Sequence, residues 1–427
     1  MRPSLGQNAP VARTLLRARV VLPIAGPALE DGGVLIGGRQ IVGVGRWKDL
    51  SSSRAEAALD LGDVMLLPGL INAHCHLDYT DMAGQIPPPR SFSEWIKAML
   101  ALKAHQSYSD YALAWLRGAK MLATHGTTTV VDIEAVPELL PEVSSATPLR
   151  VCSLLEMTGL RSRRTPAQIL QATTATLTTL ARQGCWVGLS PHAPYSTTPE
   201  LLRLVGLSMR ARDWLLAIHL SESAEEFEMF SSRRGRMFTW LGQQRDMADC
   251  GLGSPVQCLQ RQGLLGPNLL AIHVNYLAPG DAELLANGGV HVVHCPRSRA
   301  YFSHTPFPRA VLQHAGVNLC LGTDSLATIR RTSRAKPELD LFAEMRALSD
   351  HDPDLSPENI VRMATVNPAR ALQRSGALGQ LSPGARADLI AIPLAGRTVD
   401  FYTSVIAHTG PVSAMMIDGQ WVLRPAA

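Results

Sequence analysis

Apolar residues are not spread evenly along this chain. In the middle they gather into eight short, nearly continuous runs: Met65–His76, Thr127–Ile133, Arg150–Met157, Cys185–Ala193, Leu215–Ser223, Leu269–Asn275, Val290–Ser298 and Val317–Ser325. Continuous apolar runs of this length are expected of parallel strands covered on both faces. Between most of them lie stretches with helical periodicity, such as Ser109–Thr124, Pro166–Arg182 and Pro199–Arg212. Strand–helix alternation repeated eight times predicts an α/β fold with a (β/α)8 TIM barrel. Ser356-Pro357-Glu358 opens a further helix, with Ser as N-cap and Pro in the first helical position. The two ends read differently. Residues 12–65 alternate short β-type runs with glycine pairs, and Gly37-Gly38 marks a hairpin. Ala387–Ile392, Ser413–Ile417 and Trp421–Leu423 repeat that style, with Asp418-Gly419 as a second hairpin turn. The expected layout is a barrel over 66–384 and a small composite β-sandwich domain built from 1–65 and 385–427.

Composition narrows the class. The 427 residues suit one barrel of about 250 residues plus a satellite domain. Hydrophobic residues make up 46% and charged residues 18%, so a large core is available, and a net charge of +4 does not point to nucleic acid. No run of about 20 apolar residues occurs, so no membrane span is expected. Arg13, Arg17 and Arg19 interrupt any signal-peptide core. Five of the seven cysteines (Cys75, Cys152, Cys185, Cys295 and Cys320) sit within apolar runs, and no Cys-x-x-Cys pair occurs. They read as buried thiols in a reducing compartment, and the chain as a cytoplasmic enzyme. The His-x-Glu and Pro-Cys-x-x-Cys elements of small zinc nucleobase deaminases are absent, as is His-Glu-x-x-His. Gly43-Val-Gly45 lacks the third glycine and the helix of a dinucleotide fingerprint.

The candidate chemistry sits where strands should end. The first run closes on His74-Cys75-His76, the fourth on His192, and the fifth on His219 with Glu222 behind it. The sixth closes on His273, the seventh carries His294, and the eighth ends at Asp324. In a barrel, the C-terminal strand ends carry the site. Residues two apart on a strand point the same way, so His74 and His76 can reach one ion while Cys75 faces the other layer. A lone His-x-His is as readily a pair of satisfied imidazoles, a lone His219 is more often a core histidine, and Asp324 alone could merely cap a helix. Together, three neutral imidazoles (His74, His76, His219) and the Asp324 carboxylate suit one divalent metal. Zinc comes first and Fe²⁺ stays open, with one coordination position left for water. Such a metal lowers the pKa of its water, and Glu222 and Asp324 are the carboxylates placed to take and return the proton.

These segments resemble the amidohydrolase superfamily, in its cytosine deaminase and chlorohydrolase-like branch. The matching residues are Pro68-Gly-Leu-Ile-Asn72-Ala-His74-Cys-His76, His192-Ala-Pro-Tyr-Ser196, His219-Leu-Ser-Glu222, His294-Cys-Pro-Arg-Ser298 and Leu321-Gly-Thr-Asp324-Ser, with Gly384-Ala-Arg-Ala-Asp388-Leu in the terminal β part. The resemblance covers nearly the whole chain. It implies His74, His76, His219 and Asp324 as metal ligands and Glu222 as proton shuttle. It implies His273 as the group that orients water or stabilises the tetrahedral adduct, and His192 as a substrate contact. The implied reaction is attack of activated water on an amidine-like carbon, protonation by Glu222, and loss of ammonia. Some superfamily members bridge two metals with a carboxylated lysine at the end of the fourth strand. Here that strand has none, and none of the five lysines (Lys48, Lys97, Lys103, Lys120, Lys336) falls on a barrel run.

The residues around strands seven and eight look most like aminodeoxyfutalosine deaminases. The favoured substrate is therefore an aminopurine nucleoside such as aminodeoxyfutalosine. Arg297, with Arg299, Arg330 and Arg331, could hold a substrate carboxylate through its planar fork, against the alternative of a solvated surface. Trp95, in the long loop after the first strand, could cover a ring or simply pack. Two other readings share the barrel: a chlorohydrolase or N-dealkylating hydrolase of triazine-like rings, and a catalytically silent assembly protein. The partner expected is a small heterocycle, with no nucleic acid and no membrane. A homodimer is admitted.

Overall fold

The structure, a computed structural model, describes residues 12–425 apart from 54, 88, 161, 210, 211, 331–335 and 397–399. Glycine-punctuated β runs at the N-terminus form β1 (Arg13–Val21), β2 (Leu29–Gly37), β3 (Gln40–Arg46), β4 (Ala57–Asp60) and β5 (Val64–Pro68). The central runs form β6 (Leu70–Cys75), β7 (Thr127–Glu134), β8 (Arg150–Met157), β9 (Trp186–Pro191), β10 (Leu216–Leu220), β11 (Leu269–His273), β12 (His291–His294) and β13 (Asn318–Leu321). The C-terminal end adds β14 (Leu389–Pro393), β15 (Ala414–Ile417) and β16 (Gln420–Leu423).

Strands β6 to β13 pair in chain order, each parallel to the next. The ends of that row meet. The amides of Thr323 and Asp324 donate to the His74 carbonyl at 3.0 and 3.1 Å, and the His76 amide donates to the Asp324 carbonyl at 3.3 Å. This seam needs Gly322, because a Cβ there would stand 2.8 Å from the Cβ of His74. The eight parallel strands thus form a nearly closed barrel. Its interior is filled by small and branched side chains such as Ile71, Ala73, Val131, Leu154, Ala217, Ile272 and Cys320. The outer face packs on helices through a larger apolar cluster that includes Trp115, Leu177, Leu201 and Phe342. The helices have their own start signals. Thr165 and Gln168 form a capping box ahead of Pro166–Arg182, and Ser107 and Asp110 do the same for Tyr108–Thr124. Ser356 caps Pro357–Met363.

The sandwich expected of the two ends takes the form of one sheet of order β16-β15-β14-β5-β1-β2-β3, with β4 beside β1. The sheet curls until Gln40 bridges Arg386, and it encloses Leu16, Val34, Ile41, Leu66 and Met416. Both anticipated hairpins are present, and Asp418 and Gly419 adopt φ of 50° and 71°.

Three expectations need correction. Met65–His76 is not one strand: Gly69 divides it, so that β5 belongs to the terminal sheet and β6 opens the barrel. The run Val290–Ser298 leaves the strand at His294 and turns helical over Pro296–Phe302. Trp95 sits on a helix, Phe92–Lys103, whose N-cap Ser91 accepts from the Glu94 amide, rather than in a loop.

Candidate metal centre and active site

The strand ends converge. Ile71 and Ala73 pack in the barrel interior, so strict alternation would turn His74 outward. A register irregularity between Asn72 and Cys75 re-aims it, and Cys75 packs in the outer cluster. Asn72 pins this irregularity to the last strand. Its Oδ1 accepts from the Thr323 amide at 3.1 Å and its Nδ2 donates to Thr323 Oγ1 at 2.7 Å. The backbone is wound tightly where the other groups emerge: Ser221, His273, Val274 and Asp324 all have positive φ, from 48° to 73°. For residues other than glycine this conformation is costly and is retained where surrounding structure imposes it.

His76 Nε2 lies 3.3 Å from His219 Nε2, and Asp324 Oδ1 lies 3.6 Å from His74 Nε2 and 3.9 Å from His76 Nε2. Two donors about 2.0–2.1 Å from one zinc ion stand roughly 3.3 Å apart when tetrahedral and farther apart at wider angles. The set therefore fits a single divalent ion. Two overlapping groups have that geometry, His74–His76–His219 and His74–His273–Asp324. Both ring nitrogens of His74 are buried without a hydrogen-bond partner among the described residues, as befits a ligand waiting for a cation. His219 pairs its Nδ1 with the His192 carbonyl at 2.9 Å, which leaves Nε2 as the lone-pair donor. Burial first, then the neighbouring imidazoles, hold His76 and His219 well below the usual histidine value, so both are neutral. Burial would raise Asp324, but His74, His273 and His76 outweigh it and keep this carboxyl well below the usual range.

Glu222 stands beside this centre, its Oε1 3.5 Å from His273 Nε2. Burial first, then Asp324 and Glu226, raise it well above an ordinary glutamate. Its backbone is held from two sides. Asn275 Nδ2 donates to the Glu222 carbonyl at 2.9 Å, and Glu226 accepts from the Ser221 and Glu222 amides at 3.1 and 2.8 Å. Glu226 escaped the reading of the sequence. The signal was there in Ser223-x-x-Glu226, a capping-box spacing, and Ser223 Oγ does accept from the Glu226 amide.

A cavity of about 380 Å³ opens over the centre. His76, His219, Glu222 and Asp324 line its floor, and Trp95, Met99 and Trp240 its apolar wall. His192 lines it too, Nδ1 paired with Ser196 Oγ at 2.7 Å and pKa lowered by burial to about 3. Tyr79, Lys103 and Glu156 line the same cavity and were not anticipated. They come from the segment after β6, a helix end and β8, with no local pattern to join them.

Arg297 is not brought to this cavity. Its Nε meets Glu344 Oε1 at 2.5 Å and an Nη donates to the Glu338 carbonyl, so its fork is already filled. Arg299 donates to the carbonyls of His304 and Thr305 and lines another cavity with His294, whose ring stacks on Phe307 at 3.9 Å. Arg330 is exposed and Arg331 lies outside the described residues.

Comparison with known proteins agrees with this geometry. The amidohydrolase family matches residues 65–422. A 5-methylthioadenosine/S-adenosylhomocysteine deaminase of Syntrophobacter fumaroxidans is 33% identical over 86% of this chain and 81% of its own length. Among solved structures, a zinc-bound adenosine deaminase from Xanthomonas campestris superposes with a TM-score of 0.83 at 24% identity, covering 96% of this chain and 93% of that one. A Helicobacter pylori aminofutalosine deaminase does so with a TM-score of 0.82 at 21% identity, covering 96% and 100%.

Proposed function

The chain belongs to the amidohydrolase family and is a hydrolase of carbon–nitrogen bonds, a deaminase; on that premise we propose that it removes the 6-amino group of an adenine nucleoside modified at its 5′ position. One observation carries the reading: His74 belongs to two overlapping clusters of buried donors, one with His76 and His219 and one with His273 and Asp324, beside the buried carboxyl of Glu222. A divalent ion held by His74, His76, His219 and Asp324 would supply a water acidified to a pKa of about 7. Glu222 would give its proton to the ring nitrogen, recover through Asp324 the proton that the water gives up and pass it to the leaving amine; as the C–N bond breaks and the carbonyl forms, it would take the water's second proton and end as it began. His273 orients the water, Asp324 takes its proton as well as ligating, His192 contacts the heterocycle and Trp95 covers it. Zinc is the proposed ion, since imidazole and carboxylate donors with one open position suit it; Fe²⁺ uses the same set. None of the seven cysteines is paired, which supports a place in the cytoplasm. The 33% identical relative is named for 5-methylthioadenosine and S-adenosylhomocysteine. Aminodeoxyfutalosine, favoured by the sequence resemblance, belongs to the same 5′-modified class.

The test is ammonia release by metal-loaded protein from 5′-methylthioadenosine, 5′-deoxyadenosine, S-adenosylhomocysteine and aminodeoxyfutalosine, with a chlorinated triazine in parallel. Deamination of at least one nucleoside is expected. Chloride release from the triazine alone would move the chain to the chlorohydrolases, and a folded barrel with neither metal nor turnover would make it a silent assembly protein.

A further inference from the structure

The floor of the cavity accounts for the reacting end of a substrate, and the lining beside it has chemistry of its own. Lys103 closes the helix Phe92–Lys103 and lines the cavity, half-buried. Among the described residues its ammonium makes no ion pair and a single hydrogen bond, to the Tyr79 hydroxyl at 2.6 Å. The Tyr79 ring in turn stacks on His76, with centroids 4.8 Å apart and planes 5° from parallel. The cation is thus one aromatic ring removed from the metal ligands. A nucleoside whose amino-bearing carbon sits over those ligands sends its sugar and 5′ arm away from them, towards the walls.

The hydrogen-bond inventory of this corner is one-sided. An ammonium has three donors, and here one is used. Tyr79 accepts that bond, and its own hydroxyl proton has no acceptor among the described residues. Burial opposes the charge on Lys103, while Tyr79, Glu156 and Asp78 keep its pKa well above the ordinary lysine value. Glu156 and Asp78 favour the ammonium from beyond ion-pair distance, so Lys103 stays charged while two of its donors remain free for a ligand. Glu156, half-buried in the same cavity and 3.9 Å from His192 Nε2, supplies the complementary acceptor side for hydroxyls or an ammonium.

Resting on the deaminase reading above, we propose that Lys103, with Tyr79 beside it, selects adenine nucleosides whose 5′ arm ends in a carboxylate. The donors of this corner take the carboxylate, and a neutral arm leaves them unfilled.

The experiment compares three arms on the same adenosine core: 5′-methylthioadenosine (neutral), S-adenosylhomocysteine (zwitterionic) and aminodeoxyfutalosine (anionic). Wild type is expected to prefer the two carboxylated arms in kcat/KM. In Lys103→Met that preference should fall about tenfold to hundredfold, through KM rather than kcat, and Lys103→Arg should restore part of it. Calorimetric binding of the same nucleosides to metal-free protein should show the same loss of preference. A merely structural role would weaken all three arms alike and leave the preference untouched, which overturns the assignment while the deaminase reading survives. Turnover of none of the three, with a binding preference that still depends on Lys103, would overturn the reaction and spare the assignment. Loss of preference for the zwitterion alone, with the anionic arm still preferred, would mean that Lys103 does not read the carboxylate, and overturns the assignment.

Discussion

Two buried polar clusters at opposite ends of β8 use the same kinds of residue to opposite ends. At the start of the strand, Arg150 donates to Asp388 and to Asp418 at 2.8 Å. Asp388 also accepts from the Asp418 amide at 2.8 Å, and Arg386 reaches Asp418 at 2.7 Å. This network ties the barrel to the terminal sheet. At the other end lies the rim. There both nitrogens of His74, both carboxylate oxygens of Asp78 and Nε2 of His273 are buried with no partner among the described residues. The backbone differs in the same sense. Positive φ in the terminal sheet falls on the hairpin residues Gly38, Asp418 and Gly419 and also on Asp31 within β2, whereas at the rim it falls on Ser221, His273, Val274 and Asp324, none of them in a hairpin. A filled network stabilises the fold; a rim that keeps donors, acceptors and strain unresolved is arranged for something that arrives later.

The sharpest way to break this contrast is to substitute at the rim and look for a loss of stability. Glu222→Gln removes the proposed proton shuttle but keeps its shape. A fall in kcat of about 10²–10⁴-fold is expected, with metal content by mass spectrometry unchanged and the melting temperature level or higher. If the metal is lost instead, Glu222 is a ligand and the donor set is wrong.

The reciprocal substitution is Asp388→Ala. It strands the mostly buried Arg150 guanidinium, and removing one partner of a buried pair costs about 3–5 kcal/mol, here nearer the lower figure because Asp418 remains. Urea unfolding should show that loss, while kcat/KM of the folded protein holds. Activity lost at full stability would mean that the two ends of β8 are coupled, and the contrast would fail.

How much of this was readable in the residues follows the same division. Strands and helices that depend on local rules were legible, down to Pro166–Arg182, where Thr165, Pro166 and Gln168 mark the start. So was the convergence of His74, His76, His219 and Asp324, because each stands at or near the end of an apolar run and the barrel brings strand ends together whatever the loops do. The break at Gly69 was not. The residues on both sides are equally apolar and buried, so nothing in polarity marks the change of sheet. What does mark it is steric, since a Cβ at Gly69 would stand 2.1 Å from the Thr128 side chain. Arg297 misled because it adjoins a strand end in sequence, yet its side chain turns to Glu344, a long-range partner invisible in the local pattern. Lys103, Tyr79 and Glu156 meet only in three dimensions.

Glu226 tests the contrast most finely, because it stands at the rim but behaves as a support. It is fully buried, and its two oxygens hold the amides of Ser221 and Glu222. Burial raises its pKa from 4.5 to about 8 against the pull of those amides. A carboxyl whose folded pKa lies above its unfolded one binds its proton more tightly when folded. Its contribution to stability is therefore complete below pH 4.5 and is lost as the pH rises to about 8. Glu226→Gln cannot titrate, so its stability relative to wild type should improve between pH 5 and pH 8, by about 3–4 kcal/mol and at most about 1.4 kcal/mol per pH unit. Urea unfolding of both metal-free proteins at the two pH values measures this directly. A glutamine offers one acceptor to two amides, so Glu222 should be held less firmly and kcat should fall about tenfold even where stability has improved. Parallel stability curves would mean that Glu226 stays ionised in the fold. In that case the rim contains a satisfied carboxylate, and its unfilled groups are confined to the metal site and the substrate cavity.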